Sequence, residues 1–286
     1  MFRSNLSDSR REERRLEREA ARQLAYERGE TSAVRTPVEG LSTQKIVRAT
    51  IDKIRELAPD LQGDFLDVGA GNGELIDRVI REFRLTAHAC DYRDDLMTIG
   101  GLQVDAVDLN TEPLPYANAS FDLVTCTEVI EHLEHYRATL REVSRVLRPG
   151  GVFVVSTPNV LNLRSRLRYL FFGFFNLFGM IRVEDERHHS THGHISPVSY
   201  FYLAHALAGA GFQEISVSVD KRQRRSWIAL SLLWLPIRAF SEFCIAKERR
   251  KYQTVDEWNE PFARDMNRID LLLGRTIIVG CRKKTA

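Results

Sequence analysis

Phe65-Leu-Asp-Val-Gly-Ala-Gly-Asn-Gly-Glu74 is the stretch on which the fold turns. An apolar run from Phe65 to Val68 ends in three glycines at alternate positions, Gly69, Gly71 and Gly73. Beyond them Leu75, Ile76, Val79, Ile80 and Phe83 recur at helical spacing. Strand, glycine turn and helix in that order predict a nucleotide-type ligand site at the carboxyl end of a parallel sheet. Glycine allows positive φ and lets the backbone come close to a ligand where a Cβ would intrude. The spacing is G-x-G-x-G, not the G-x-G-x-x-G that aims a helix N-terminus at a pyrophosphate. Carboxylates stand on both sides, Asp67 and Glu74. They would repel phosphate and suit a cation.

Working outward, Ser42 to Leu57 predicts an amphipathic helix carrying Ile46, Val47, Ile51 and Ile54 on one face. The first strand is expected over Asp64–Val68, its helix over Gly73–Phe83, and a second strand over Thr86–Asp91. A short third strand (Gln103–Asp108), a fully apolar fourth (Phe121–Thr125), a helix (Ala138–Leu147) and a fifth strand (Val152–Thr157) follow. Strands alternating with helices imply right-handed parallel crossovers, hence an α/β, doubly wound, Rossmann-like sheet. Asp91 lies 22 positions beyond Gly69, where a carboxylate accepts hydrogen bonds from ribose hydroxyls. Tyr92 beside it would flank a base. Later in the chain, Ser196–Ala210 is expected as a helix with Pro197 near its first turn, and Phe212–Val219 as a strand. Residues 255–270 are polar and helical in pattern, and Arg275–Cys281 is the last strand, antiparallel beside the fifth.

Taken together, L-D-V-G-A-G-N-G-E, the acidic end of the second strand, D-L-x-x-x-P-L-P, S-F-D-L-V-T-C-T-E-V-I-E-H-L and V-L-R-P-G-G-V-F-V-V-S-T-P-N resemble the class I S-adenosylmethionine-dependent methyltransferases in order and spacing. The resemblance covers roughly residues 42–158. It implies S-adenosylmethionine as cofactor, with Asp67, Gly69, Ala70, Gly71 and Gly73 lining its methionine portion. It further implies Asp91 on the ribose, Asp108 and Leu109 facing the adenine, and Glu128 near the reacting methyl.

Thr127-Glu-Val-Ile-Glu-His-Leu133 is the polar cluster that bears on catalysis. Glu128, Glu131 and His132 resemble the E-x-x-E-H of ubiquinone-pathway O-methyltransferases and of small-RNA 2′-O-methyltransferases. That resemblance implies a divalent cation such as Mg, with His194, from the run Arg187-His-His-Ser-Thr-His-Gly-His194, as a further ligand. A hard cation there would lower the pKa of an acceptor hydroxyl. Two other readings stay open: His132 as a general base without metal, with Glu128 beside it, or a helix start whose glutamates sit at its positive end.

With 286 residues and 43% apolar content the chain can bury one sizeable core with an elaboration. Net charge is +2, but it is unevenly spread. Residues 40–158 carry 12 Lys/Arg against 19 Asp/Glu, and residues 159–286 carry 20 against 12. A basic half suggests an anionic partner. Cys90, Cys126, Cys244 and Cys281 form no C-x-x-C pair, and three of them lie in apolar runs, which predicts free thiols in a reducing compartment. The N-terminus has no apolar signal core, so an intracellular, cytoplasmic protein is expected.

Three segments are expected: a charged arm and linker over 1–40, a cofactor-binding core over 41–160, and a substrate-facing region over 161–286 that also supplies the final strands. The last region holds two apolar runs, Tyr169–Ile181 and Trp227–Ile237, with basic clusters near both. Each is shorter than the ~17–25 residues of a spanning helix. Contact with the inner membrane face through 161–181 and 221–251 is expected, against a buried insertion or a dimer interface. The acceptor expected is a small or lipid-linked hydroxyl, on a quinone precursor or a lipid-carried glycan. An RNA acceptor is the rival, although no RNA-binding module is recognisable; a non-catalytic methyltransferase-fold partner is the third reading.

Overall fold

The computed structural model describes residues 43–181 and 193–285. The charged arm and linker expected over 1–40, and His188, His189 and His192, lie outside the described residues.

In chain order the elements are α1 (Gln44–Leu57), β1 (Gln62–Val68), α2 (Glu74–Glu82), β2 (Arg84–Asp91), β3 (Val104–Ala106), β4 (Phe121–Thr127), α3 (Tyr136–Val146) and β5 (Leu147–Pro158). Then come α4 (Leu163–Phe172), α5 (Tyr200–Gly209), β6 (Phe212–Val219), α6 (Ser226–Lys247), α7 (Glu260–Asp265), α8 (Ile269–Leu273) and β7 (Thr276–Lys283). They build one seven-stranded sheet in the order β3-β2-β1-β4-β5-β7-β6. The first five strands are parallel, and β7 inserts antiparallel between β5 and β6. This is the doubly wound α/β fold that the alternation of strands and helices dictates. The sheet runs on past residue 160, because β6 and β7 close it.

Each face of the sheet buries its own apolar cluster. On one, Ile46, Val47, Ile51 and Ile54 of α1 meet Phe65, Leu123, Val152 and Val154. On the other, Leu140 and Val143 of α3 and Leu203 and Leu207 of α5 meet Val124, Phe153, Val155 and Val279. Each such fully buried side chain contributes about 2 kcal/mol. Strands buried on both faces read as continuous apolar runs, and this is why Phe121–Thr127 lacks alternation. Cys90, Cys126 and Cys281 are buried free thiols on these strands.

The structure corrects the C-terminal half in three places. Pro197 precedes α5 rather than entering its first turn, since the helix begins at Tyr200 behind Ser199. Residues 255–270 hold two short helices, α7 and the start of α8, joined through a turn. The apolar run Trp227–Ile237 is only part of a helix: α6 has 22 residues and continues through a wider-wound turn to Tyr252. Pro236 sits inside it. Length and composition therefore do allow it to cross a membrane, contrary to the reading from the apolar run alone.

Candidate active site

The site is built at the carboxyl ends of β1, β2, β4 and β5. β1 ends at Val68, and Gly69, Gly71 and Gly73 turn the chain at φ of 77°, 52° and 86°. A Cβ on Gly69 would lie 2.2 Å from Val129 Cγ2, so the loop and the turn after β4 approach too closely for a side chain. The amides of Gly69 and Ala70 donate to the Cys90 carbonyl at 2.9 and 3.2 Å. The Gly71 amide donates to Asp91 Oδ2 at 2.8 Å, and the Arg93 amide to Asp91 Oδ1 at 2.9 Å. Asp91 thus clamps the glycine loop as well as ending β2 where the sequence places it. Thr98 donates through its amide and its hydroxyl to the Asn72 carbonyl, tying the far side of the loop. Tyr92 is exposed beside Asp91.

Asp67 is buried beneath the loop and accepts a hydrogen bond from Thr125 Oγ1 at 2.5 Å. Burial pushes its carboxyl up to about 7, against the pull of the Thr125 hydrogen bond and with a smaller push from Asp91. Glu74 is also buried, with Gln44 of α1 donating to its carboxylate and Arg78 at 3.5 Å. Asp108 turns its carboxylate onto its own loop, accepting from the Asn110 amide at 3.0 Å, while Leu109 packs against the core.

After β4 the chain turns at Glu128 with φ 56°, a left-handed backbone that costs a non-glycine residue about 1–3 kcal/mol. Ser156 of β5 holds it there: its hydroxyl donates to Glu128 Oε1 at 3.0 Å, and the Glu128 amide donates to that hydroxyl at 3.1 Å. Loss of solvent pushes Glu128 up to about 7, opposed by the Ser156 hydrogen bond and the Arg275 charge and helped by Asp220. One turn on, in a single 3₁₀ turn over Ile130–His132, Glu131 is fully buried. Burial first, then the Glu128 charge, drives its carboxyl well above the ordinary range. Neither of its oxygens has a hydrogen-bond partner in good geometry, and the Thr157 hydroxyl is the side chain that faces it.

The segment 193–196 closes on this turn. The Ile195 and Ser196 amides both donate to the Glu131 carbonyl at 2.9 Å, and Ser196 Oγ donates to the Leu133 carbonyl at 2.6 Å. His132 Nδ1 lies 3.1 Å from the Gly193 carbonyl, and His194 Nδ1 lies 2.9 Å from the Leu177 carbonyl. Those acceptors fix a proton on Nδ1 in each ring. The rings meet edge to face at 4.7 Å. Burial and the neighbouring His132 lower His194 to about 4, so it is neutral at pH 7.

Ligand atoms of Glu131, His132 and His194 lie within 4.8 Å of one another. Glu128, expected as a fourth metal ligand, stands outside this group because Ser156 engages its carboxylate. What remains is two imidazoles and one carboxylate, a donor set poorly matched to Mg, which prefers oxygen ligands. Thr125, Ser156 and Gln44 complete the site and were not singled out from sequence. The signal was present for two of them: a hydroxyl buried in a largely apolar strand must find a partner.

A family model described as a methyltransferase domain matches residues 43–217. The chain belongs to the class I S-adenosylmethionine-dependent methyltransferases. Among relatives of this methyltransferase, the ubiquinone/menaquinone biosynthesis C-methyltransferase of Bartonella tribocorum is 36% identical over 100 residues, 31% of this chain and 38% of that protein. The dimethylglycine N-methyltransferase of Parasynechococcus marenigrum is 34% identical over 134 residues, 43% of this chain and 47% of that protein. The chain thus spans under half the length of the curated relatives it matches. A solved S-adenosylmethionine-dependent methyltransferase from Archaeoglobus fulgidus shares the fold, with TM-score 0.50 and 17% identity, covering 83% of this chain and 94% of that one.

Proposed function

We propose that this methyltransferase transfers the methyl of S-adenosylmethionine to a hydroxyl of a small or lipid-linked acceptor, such as a quinone precursor or a lipid-carried glycan. The observation that carries the reading is the glycine loop, clamped by Asp91 and underlain by Asp67, facing the Glu128–His132 turn. The donor set suits this cofactor: the stretch Asp67–Glu74 holds carboxylates and backbone amides and no basic residue that would seek a phosphate. S-adenosylmethionine supplies an electrophilic methyl on its sulfonium. The protein's own work is then to orient the partners, exclude water and take up one proton. Asp91 would accept from the ribose hydroxyls. Glu128 would face the methyl-bearing end of the cofactor. His132, with Nδ1 committed to Gly193, would accept the acceptor's hydroxyl proton on Nε2 as that oxygen attacks. His194 and the Leu177 segment would shield this proton transfer from water.

The relatives named above act, by their names, at carbon and nitrogen. The preference for oxygen here rests on the pairing of His132 with the neutral His194, which suits a hydroxyl that must lose its proton. A cytoplasmic site of action, at the inner membrane face, belongs to the same proposal. Calorimetric titration with S-adenosylmethionine and its demethylated product tests the cofactor half. Micromolar binding that Asp91→Ala abolishes is expected; a folded protein binding neither compound would defeat the reading.

A further inference from the structure

α6 is a 22-residue helix whose two sides behave differently. One side packs on the body of the protein: Leu230 is buried with Leu163 of α4 and Leu272 and Leu273 of α8, and Leu233, Trp234 and Ile237 pack around them. Further along, Asn267 Nδ2 donates to Ser241 Oγ at 2.8 Å, Arg264 pairs with Glu242, and Ile245 is buried. The docking therefore extends from about the first turn to the last. The other side carries Ile228, Leu232, Leu235 and Phe243 at 74%, 72%, 70% and 62% exposure. No other element covers these among the described residues. Beside α6 lies α4, whose Leu170 and Phe171 are equally open, at 71% and 83%. Soluble surfaces rarely carry so continuous an apolar face without a use for it.

Charge says what covers it. Exposed Arg224 and Arg225 stand at the N-terminal end of α6, and exposed Arg250 and Lys251 at its C-terminal end. An apolar line about 23 Å long on a helix about 33 Å long, with cations at both ends, matches a leaflet with anionic headgroups. A second copy of this chain would instead bring the same cations against one another.

We infer that this methyltransferase is a monotopic membrane protein: α6 lies flat in the headgroup region of an anionic leaflet, its apolar line sunk into the acyl boundary, with α4 beside it. Although α6 is long enough to span, spanning would strip it from α4, α7 and α8 and expose Leu272 and Leu273. Its inner side is held by protein at Leu230, Ser241, Glu242 and Ile245, so lipid meets the outer side. The active site is tied to this surface. α4 leads into residues 173–181, whose Leu177 carbonyl accepts from His194 and whose Phe178 ring lies 5.3 Å from the His194 ring. On the methyltransferase reading proposed above, on which this step rests, an acceptor borne in the leaflet would reach His132 and His194 along that segment.

The test is co-sedimentation of the full chain with phosphatidylcholine vesicles, with and without a third phosphatidylglycerol, alongside calorimetry with S-adenosylmethionine. Retention on the anionic vesicles at least about tenfold above the neutral ones is expected, falling about fivefold for each of Arg224→Gln and Arg225→Gln. Leu232→Glu with Leu235→Glu should release the protein while leaving cofactor affinity and melting temperature unchanged, since both side chains face outward. Alkaline carbonate should extract the wild type from anionic vesicles. The inference is overturned if wild type and the double glutamate variant pellet alike, if carbonate fails to extract the protein, or if the wild type ignores vesicles and is a dimer that the variant splits. Vesicle binding without cofactor binding would instead defeat the proposed activity and leave the membrane mode standing.

Discussion

Gly69→Ala is the perturbation that most directly probes how the glycine loop is held. Two separate costs follow from the structure. Alanine in left-handed backbone, here φ 77°, costs about 1–2 kcal/mol. The new Cβ would also lie 2.2 Å from Val129 Cγ2, and relieving that overlap in a packed region costs about 1–3 kcal/mol. The sum, about 2–5 kcal/mol, is a large share of a domain's stability. The two parts separate in a double-mutant cycle with Val129→Ala. Urea midpoints should show Gly69→Ala destabilised by the full amount in the wild-type background. In the Val129→Ala background only the backbone part should remain. Because Val129 follows Glu128, the single variant should also weaken S-adenosylmethionine binding, with partial recovery in the double variant. A cycle showing no coupling between the two positions would refute the claim that the loop's glycine answers to the turn after β4.

Asp67 makes cofactor affinity depend on pH. With its buried carboxyl at about 7 rather than the usual 4, the folded protein holds that proton more tightly than the unfolded chain. Its contribution to stability therefore falls as pH rises from about 4 to about 7, by on the order of 4 kcal/mol. A cationic cofactor favours the ionised carboxylate, so its affinity should rise about twentyfold between pH 5.5 and 7.5. Asp67→Asn should bind weakly and flatten that profile; an equally steep profile in the variant would count against Asp67. Arg166 donates to the Leu161 carbonyl, to Asn267 Oδ1 and to the Met266 carbonyl at 2.6, 2.8 and 2.8 Å, holding α4 to the α7–α8 turn. Arg166→Met should cost about 3 kcal/mol or more in chemical denaturation, through carbonyls left without donors; a loss under about 1 kcal/mol would show that water replaces it.

The nucleotide-binding half was legible because its signals are local. Three glycines at alternate positions, an apolar β1 and an acid 22 residues beyond Gly69 are each fixed by backbone geometry over a few residues. The partners of those residues were not legible. Thr125 under Asp67 and Ser156 against Glu128 are 58 and 28 positions away in sequence, and strand order alone makes them neighbours. The same holds for the metal-ligand reading. E-x-x-E-H looks like one ligand set on paper, but left-handed backbone at Glu128 sends its carboxylate to β5, while the fold brings His194 onto Glu131 and His132 from 62 positions away. For α6 the sequence determined an apolar run between cations and nothing about its length in space. The helix passes through Pro236, because its inner side is supported by packing on α4 and α8. Composition decided that α6 is mostly apolar; only tertiary packing decided which side meets protein and which is left for another phase.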